Sequence, residues 1–368
     1  MSDRTPVRVL HLVPRFRPGG VARVITALVG GDDERFQSAV AFGANDWPAP
    51  LNAIGAASYT VPLFPSTPLT FLRALRVLRK IVREKRFDVI HSHHRFSSLV
   101  GRAAAALSGA RFVCSVHDFA GGNRFLTRMA LGREIMVYGQ GVARYLRDYF
   151  GLRDARITKI TMGVPPPEPV PSSAGDEFRS AQRIAAHAPI ILFAGRLEDE
   201  KAPDVLIEAV PRVVLSVPDA VVCIAGDGPM KPELERAVNE GGLTASVRFL
   251  GWRDDADRLM AAADVVILLR RGHEPFGLTV VEAMLRGKPV VASDAGSLRD
   301  LVTDRYTGIF VEGLTSDAIA EAVITLLTDR ELAKRLGAAA REHAAATWTV
   351  WRMIDETRRV YLEALNAA

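Results

Sequence analysis

The chain has few of the features that mark secreted or membrane-spanning proteins. Among its 368 residues are two cysteines, Cys114 and Cys223, and each lies within a β-branched run, as is typical of a buried thiol in a reducing compartment. No stretch of about eighteen apolar residues occurs, and the N-terminus passes into a strand pattern without a signal-peptide core. We therefore expect a cytoplasmic protein without a disulfide, a cysteine-bound metal or a transmembrane helix.

Two further motifs are missing, and each absence disfavours a class of function. No GxGxxG follows the first strand pattern, which argues against an NAD-dependent oxidoreductase. No recognition motif with interleaved aromatic residues accompanies the basic residues, which argues against a nucleic-acid partner.

Length and hydropathy predict two α/β domains. With 48% hydrophobic residues the chain can form two cores. Strand patterns alternate with helix patterns on both sides of the proline-rich segment 164–173, which predicts two doubly wound parallel sheets. We place the first domain at 1–165, a linker at 166–185, and the second domain at 186–346, with a last helix over 347–368.

Charge is distributed unevenly between the two halves. Residues 1–160 carry a net charge of +13, and the remainder carries −8. A basic first half suggests a polyanionic partner on that side, such as a membrane surface, a phosphorylated acceptor or nucleic acid. Segment 68–88 concentrates this charge on an amphipathic helix pattern whose apolar stripe is Leu72, Leu75, Leu78 and Val82. It predicts a sheet-covering helix with a solvated basic face, and the same face could also meet anionic lipid.

The segment 270–293 contains the most informative pattern, two glutamates with seven residues between them. Glu274 follows the strand pattern 264–269, and Glu282 is predicted about two turns into a helix that Gly277 opens. Ligands of open α/β sheets bind at the carboxyl ends of the strands. The pattern therefore favours a ligand site, although acidic pairs at this spacing also occur on solvated surfaces.

This segment, EPFGLTVVEAMLRGKPVV, resembles the retaining glycosyltransferases of the GT-B fold, the E-x7-E type of glycosyltransferase family 4, group 1. The resemblance implies two Rossmann-like doubly wound domains that face a central cleft, with the last helix packing back on the first domain. It implies that Glu274 contacts hydroxyls of the donor sugar and Glu282 contacts the nucleotide ribose. Phe276, Gly277 and Leu278 are then donor-binding residues at the start of the helix, where N–H groups suit phosphate oxygens.

Three loops match the same family at other strand ends. Arg196 and Lys201 follow Gly195 in LFAGRLEDEK, and the resemblance implies that both cations bind the donor diphosphate. The alternative is pairing with the neighbouring acids at 198–200, and Ala202 stands where the family often has glycine. The glycine turns Gly226–Gly228 and Gly19–Gly20 are implied donor contacts, although plain tight turns would have the same composition.

Histidines at 91, 93, 94 and 117 and the D-x-D at 255–257 raise the question of a metal. No cysteine or carboxylate accompanies the histidines at ligand spacing, and strand alternation separates His94 from His91 and His93. The D-x-D precedes a helix pattern and is interpreted as a cap. We expect no metal and no cofactor, and the resemblance implies that His117 contacts outer hydroxyls of the donor sugar.

The chain is thus interpreted as a retaining, metal-independent hexosyltransferase that takes a nucleotide-diphosphate sugar and glycosylates a lipid-linked or cell-envelope glycan. Its expected catalytic residues are Glu274, His117, Arg196 and Lys201. A nucleotide-sugar 2-epimerase of the same fold and a non-catalytic module that binds membranes or polyanions stay as alternatives. The sequence does not specify the sugar, the nucleotide base, the acceptor or the oligomeric state.

Overall fold

The computed structural model describes residues 5–64, 67–119, 123–153 and 155–367. The chain divides into two compact units, the first formed by Met1–Gly163 with Val350–Ala368 and the second by Val164–Thr349. Each unit is a parallel sheet with helices. None of the helices in the described ranges combines the length and apolarity that a membrane span needs.

The first unit contains a seven-stranded parallel sheet in the order β3-β2-β1-β4-β5-β6-β7. Its elements are β1 (Val7–Phe16), α1 (Gly20–Gly30), β2 (Phe36–Asn45), α2 (Ala49–Ala53), β3 (Ala57–Thr60), α3 (Pro68–Glu84), β4 (Val89–Ser92), α4 (Arg95–Ser108), β5 (Arg111–Val116), α5 (Arg124–Leu131), β6 (Glu134–Val137), α6 (Gln140–Asp148), β7 (Arg156–Lys159) and the C-terminal helix, which is α15 (Val350–Asn366).

Alternation along β1 explains why helices cover both faces of this sheet. Leu10 and Leu12 pack in one core with residues of α3 and α4, whereas Val13 packs in another core with residues of α1. Successive side chains of a strand point to opposite faces, so a strand that is apolar at consecutive positions must be covered twice.

The second unit contains a six-stranded parallel sheet in the order β10-β9-β8-β11-β12-β13. Its elements are α7 (Ala174–Ala181), β8 (Ile190–Ala194), α8 (Pro203–Ser216), β9 (Val221–Ala225), α9 (Lys231–Glu240), β10 (Val247–Gly251), α10 (Ala256–Ala262), β11 (Val265–Leu268), α11 (Leu278–Leu285), β12 (Val290–Ser293), α12 (Leu298–Leu301), β13 (Ile309–Val311), α13 (Ser316–Thr328) and α14 (Arg330–Thr347).

Several local predictions differ from these bounds. The expected linker 166–185 contains α7 and lies wholly within the second compact unit. The expected helix 347–368 corresponds to α15, which begins at Val350 because α14 ends at Thr347. Ala368, like the first four residues, lies outside the described residues. The predicted stripe of α3 was partly wrong, because Leu72 is 64% exposed and Ala74 is buried with Leu78 and Val82.

Candidate active site

The second sheet has its topological switch point between β8 and β11, which are adjacent although the chain runs from β8 outward to β9 and β10 first. Loops that leave neighbouring strands in opposite directions open a crevice at the carboxyl edge of such a sheet. The segment after β8 carries Arg196 and Lys201, and the segment after β11 carries Glu274. The sequence-predicted residues of the second unit therefore lie at the expected edge.

Lys201 and Glu274 form a buried ion pair at this switch point. The Nζ of Lys201 lies 2.6 Å from Oε2 of Glu274, and their side chains are 14% and 8% exposed. Two charges taken out of water in this way gain little net stability, because the desolvation cost offsets the attraction. A buried pair at a ligand-binding edge is instead typical of a functional site.

Two arginines that sequence reasoning did not select hold the Lys201 and Glu274 segments together. The backbone N–H of Arg271 donates to the carbonyl of Glu200 at 2.8 Å, and its guanidinium pairs with Asp204 at 2.6 Å. Arg270 is mostly buried; its Nη2 lies 2.7 Å from a carboxylate oxygen of Glu200 and its Nε 3.8 Å from Glu274. Both lie just after β11, in the sequence RRGHE that follows Leu269, but an adjacent pair of arginines does not reveal which strand end it will meet.

Glycines shape the neighbouring loops for a steric reason. A Cβ on Gly226 would lie 1.8 Å from the carbonyl oxygen of Gly195, and one on Gly228 would lie 2.4 Å from the carbonyl oxygen of Leu197. The turn after β9 therefore lies directly against the turn after β8. The two predicted glycine motifs of this unit meet, and their packing fixes the backbone that leads to Lys201.

The loop of Glu274 is supported from β12. The N–H of Ser297 donates to the carbonyl of Glu274 at 2.9 Å, and a Cβ on Gly296 would lie 2.7 Å from that same residue's backbone. Gly277 has φ +102° and precedes the first helical residue, Leu278. Within the described residues, no side chain caps the first turn of α11; the Val280 N–H donates to the Gly277 carbonyl at 3.0 Å, which leaves the N–H groups of Leu278 and Thr279 for an anion.

The remaining predicted residues of this unit have mixed outcomes. Glu282 is the fifth residue of α11, just over one turn into the helix rather than two. Phe276 is buried and precedes Gly277, the residue before the helix. Arg196 is 64% exposed and pairs with Glu198 at 2.7 Å, which is the local pairing that was the alternative interpretation. Asp255 stands at the N-cap of α10 without a side-chain cap, because its carboxylate pairs with Arg253.

The carboxyl edge of the first sheet carries a row of histidines. His11, His91, His93 and His117 are odd-numbered on β1, β4 and β5 or directly after them, so one sheet face receives them all. One nitrogen of His93 lies 3.0 Å from His11 and the other 3.0 Å from His117. As predicted, His94 is separate, and its Nδ1 caps α4 by accepting from the N–H of Phe96 at 3.3 Å.

His91 is held by hydroxyl groups. Its Nδ1 lies 2.7 Å from the Tyr361 hydroxyl of α15 and its Nε2 2.8 Å from the Ser115 hydroxyl. Ring nitrogens of His11, His91 and His93 also lie within 4.8 Å of one another, a spacing that a small metal ion could use. Both nitrogens of His91 have hydroxyl partners, however, so hydrogen bonding already accounts for its orientation. The contribution of His11 was missed, because it comes from a strand 80 residues earlier in the chain.

Burial keeps these imidazoles neutral. Desolvation lowers the pKa of His11 to about 3 and that of His117 to about 4, and it lowers the pKa values of His91 and His93 well below the ordinary value. A neutral ring has one donor and one acceptor nitrogen, so each hydrogen bond between two rings fixes a proton position.

Gly19 and Gly20 lie between β1 and α1 at the same edge of the first sheet. Gly19 precedes the helix with φ +149°, and no side chain in the described part of the chain caps α1. A Cβ on Gly19 would meet nothing within 4 Å, so packing does not demand a glycine there. The conformation does, because other residues rarely adopt it.

Two family models match the chain, one on each unit. The model described as Glycosyltransferase Family 4 matches residues 18–167, and the model described as Glycosyl transferases group 1 matches residues 175–343. The second match contains both glutamates, the Lys201 segment and all of the glycine turns of the second sheet.

Curated proteins and solved structures that resemble the chain are also glycosyltransferases or share its fold. The chain is 28% identical to the GDP-mannose-dependent alpha-(1-6)-phosphatidylinositol monomannoside mannosyltransferase of Mycobacterium tuberculosis, over 98% of this chain and 99% of the relative. It is 31% identical to the D-inositol 3-phosphate glycosyltransferase of Geodermatophilus obscurus, over 76% of this chain and 67% of the relative. The crystal structure of Anabaena Alr3699/HepE in complex with UDP and glucose superposes with a TM-score of 0.85 at 22% identity, covering 97% of this chain and 100% of that one. The predicted GT-B fold is confirmed, and the chain belongs to the group 1 glycosyltransferases of family 4.

Proposed function

We propose that the chain transfers a hexose-type sugar from a nucleoside diphosphate sugar to a hydroxyl of a lipid-linked or cell-envelope glycan, with retention at the anomeric carbon. The observation that carries this proposal is the buried contact between Lys201 and Glu274 at the switch point of the second sheet. In a nucleotide sugar, the phosphate and the sugar hydroxyls flank one anomeric carbon. A cation for the phosphate and an acid for the hydroxyls must therefore lie within a few ångströms of each other.

Each group in this proposal has one role. Glu274 accepts hydrogen bonds from sugar hydroxyls, and Glu282 accepts from the ribose, since a carboxylate can accept from two neighbouring hydroxyls. Lys201, assisted by Arg196 once it leaves Glu198, neutralises the diphosphate. The uncapped first turn of α11 adds N–H donors beside it. Each donor that strengthens its bond in the transition state contributes about 10²–10³-fold to turnover.

The reaction exchanges one bond at the anomeric carbon for another. The bond from this carbon to the β-phosphate oxygen breaks, the acceptor hydroxyl oxygen bonds to the same face, and its proton passes to the departing phosphate. Because the leaving diphosphate gains negative charge, Lys201 and the start of α11 stabilise the transition state more than the ground state. We include no metal in the proposal because these cationic groups can supply the required charge.

We include an anionic membrane surface as a proposed partner because helices of the first unit expose apolar side chains beside arginines. Helices α3, α4 and α5 carry exposed apolar side chains; Leu72 is 64% and Phe125 70% exposed. Arg76, Arg79 and Arg83 line the same groove as Leu72, and Arg124 and Arg128 line the one that contains Phe125. Apolar side chains between cations suit the boundary of anionic headgroups and acyl chains.

Two of the similar proteins guide the choice of substrates. One relative is GDP-mannose-dependent and acts on a phosphatidylinositol mannoside, and the solved structure holds UDP and glucose. UDP-, GDP- and ADP-sugars are therefore screened by thermal shift. The donor that stabilises the protein is then incubated with extracted envelope lipids, and NMR of the product gives the anomeric configuration. Binding of one donor class and an axial-to-axial or equatorial-to-equatorial transfer support the proposal, whereas no donor binding or an inverted product contradicts it.

Omitting the acceptor distinguishes a transferase from a nucleotide-sugar 2-epimerase. An epimerase converts the donor alone to its epimer, whereas a transferase leaves it unchanged apart from slow hydrolysis. Proton NMR of the donor after incubation with the full chain therefore distinguishes the two activities.

A further inference from the structure

His11, His93 and His117 form a hydrogen-bonded row, and the family resemblance implies that its last member, His117, contacts outer hydroxyls of the donor sugar. The Nδ1 of His11 lies 3.0 Å from Nε2 of His93, and the Nδ1 of His93 lies 3.0 Å from Nε2 of His117. Neighbouring rings in the row are inclined by 26° and 25°, and their centroids are 5.3 Å apart in both pairs. The same pair of nitrogens is used at each link, so all three rings carry the proton on the same nitrogen.

Only two proton arrangements satisfy both links when the rings are neutral. In the first, every ring is protonated at Nδ1, so that His11 donates to His93, His93 donates to His117, and His117 carries an N–H at Nδ1. In the second, every ring is protonated at Nε2, and Nδ1 of His117 is an acceptor; no described residue bonds to this Nδ1. The protonation of His11, at the other end of the row, therefore determines whether Nδ1 of His117 is a hydrogen-bond donor or an acceptor.

The His11 end of the row favours the first arrangement, in which every ring is protonated at Nδ1. The Nε2 of His11 is buried and has no hydrogen-bond partner among the described residues. In the second arrangement it would be a buried N–H donor without an acceptor, a state that folded proteins rarely contain. In the first arrangement it is an unprotonated nitrogen, and an acceptor without a donor is the less rare of the two unsatisfied states. The neighbouring His91 does not compete for the row, because Tyr361 and Ser115 occupy both of its nitrogens.

We propose that His11 and His93 are positioning residues that hold His117 protonated at Nδ1, so that His117 donates a hydrogen bond to an oxygen of the donor sugar. The ligand of His117 rests on the proposed function, whereas the proton arrangement rests on the row itself. An N–H donor at this position selects a sugar with an accepting hydroxyl or carboxylate oxygen there, and it makes no bond to a deoxy position.

Nitrogen-15 NMR of the full chain labelled in its histidines tests the arrangement directly. We expect all three rings to be neutral and protonated at Nδ1 at neutral pH. His11→Asn should keep this pattern, because the asparagine amide places an N–H close to the position of Nδ1. His11→Leu should release His93 and His117 into mixed tautomers. His187→Gln, on the exposed surface of the second unit, is the matched control.

Kinetics separate this inference from the proposed role of His117. We expect His11→Leu to raise the donor KM by about tenfold, the effect of one hydrogen bond, and His11→Asn to restore it. If the tautomers shift but KM is unchanged, the row is upheld and the sugar contact of His117 is wrong. Protonation of His117 at Nε2 in the unaltered chain would overturn the inference. So would no response of His117 to His11→Leu, or stoichiometric shifts of all three rings when Zn²⁺ alone is added.

Discussion

Lys201 and Glu274 are 73 residues apart in the chain, yet their charged atoms are 2.6 Å apart. Each comes from the carboxyl end of a different strand of the second sheet, and the strands β8 and β11 that precede them are direct neighbours. Both side chains are largely shielded from water. A pair of this kind contributes little to stability by itself but costs much when only one charge is removed.

The first prediction separates the contribution of this pair to stability from its contribution to sugar transfer. Lys201→Met should lower the free energy of unfolding by about 1–3 kcal/mol, since the buried Glu274 loses its partner at 2.6 Å and keeps only the weaker contact with Arg270 Nε at 3.8 Å. The double variant Lys201→Met/Glu274→Leu should recover most of that stability but none of the transfer activity. Urea unfolding and a donor-transfer assay measure the two quantities. Arg212→Met, which removes an exposed pair with Asp317, is the control and should cost at most about 1 kcal/mol. Full transfer by the double variant would reject the site.

The second prediction concerns the contact between the turns after β8 and β9. Gly226→Ala introduces a Cβ 1.8 Å from the carbonyl oxygen of Gly195, so one backbone must move. We expect a loss of donor affinity of at least about tenfold and a lower urea midpoint. Gly242→Ala is the matched control, because it has φ +66° and open space around the new methyl group. It should cost about 1–2 kcal/mol from backbone strain and leave donor affinity unchanged.

These contacts show which parts of the site were predictable from sequence. Glu274, Gly277 and Lys201 could be placed because each stands next to a strong strand or helix signal, and strand ends of parallel sheets share one edge.

Partnerships between distant residues could not be predicted. His93 shares a strand pattern with His91, but its partners His11 and His117 come from two other strands, and only the register of β1, β4 and β5 brings them together. Ala202 illustrates a different limit. Its backbone has φ +46°, the left-handed conformation that favours the glycine common at this position in the family, yet its methyl group is fully buried. Burial of the methyl group outweighs the backbone preference for glycine at this position. The relative size of these two effects cannot be predicted from a sequence pattern.

The third prediction is a loss of stability on acidification. A histidine in an unfolded chain titrates near pH 6.5, whereas folding lowers the pKa of His11 to about 3 and that of His117 to about 4. Between about pH 6.5 and 4 the unfolded chain therefore binds more protons than the folded chain, and the free energy of unfolding falls as the pH falls through this window. Above about pH 6.5 these histidines should have no effect.

Urea unfolding followed by circular dichroism at about pH 7.5 and pH 5 measures this dependence. His11→Asn removes one of the titrating groups, so the decrease in urea midpoint between the two pH values should be smaller in this variant. An unchanged midpoint in the unaltered chain would show that the buried histidines do not resist protonation.

The fourth prediction concerns the outer face of α3. Arg76→Glu/Arg79→Glu reverses two charges beside the exposed Leu72, and each basic residue near an anionic surface contributes about 1 kcal/mol to binding. We expect sedimentation with phosphatidylglycerol vesicles to fall by at least about tenfold, and with neutral phosphatidylcholine vesicles to stay low for both proteins. Transfer to a short water-soluble acceptor should be unchanged, because no residue of α3 has a proposed role in donor binding.

The control must carry the same charge change in the same unit. Arg144 and Arg147 are exposed on α6, which makes Arg144→Glu/Arg147→Glu a variant with equal net charge but an intact α3. If general charge attraction alone held the protein on vesicles, both double variants would dissociate equally, and high salt would release the unaltered chain completely. If the α3 face inserts its leucines as well, only the α3 variant dissociates, and Leu72→Gln weakens the binding that remains at high salt. Equal loss in both variants would therefore reject a specific membrane surface while leaving the sugar-transfer site untouched.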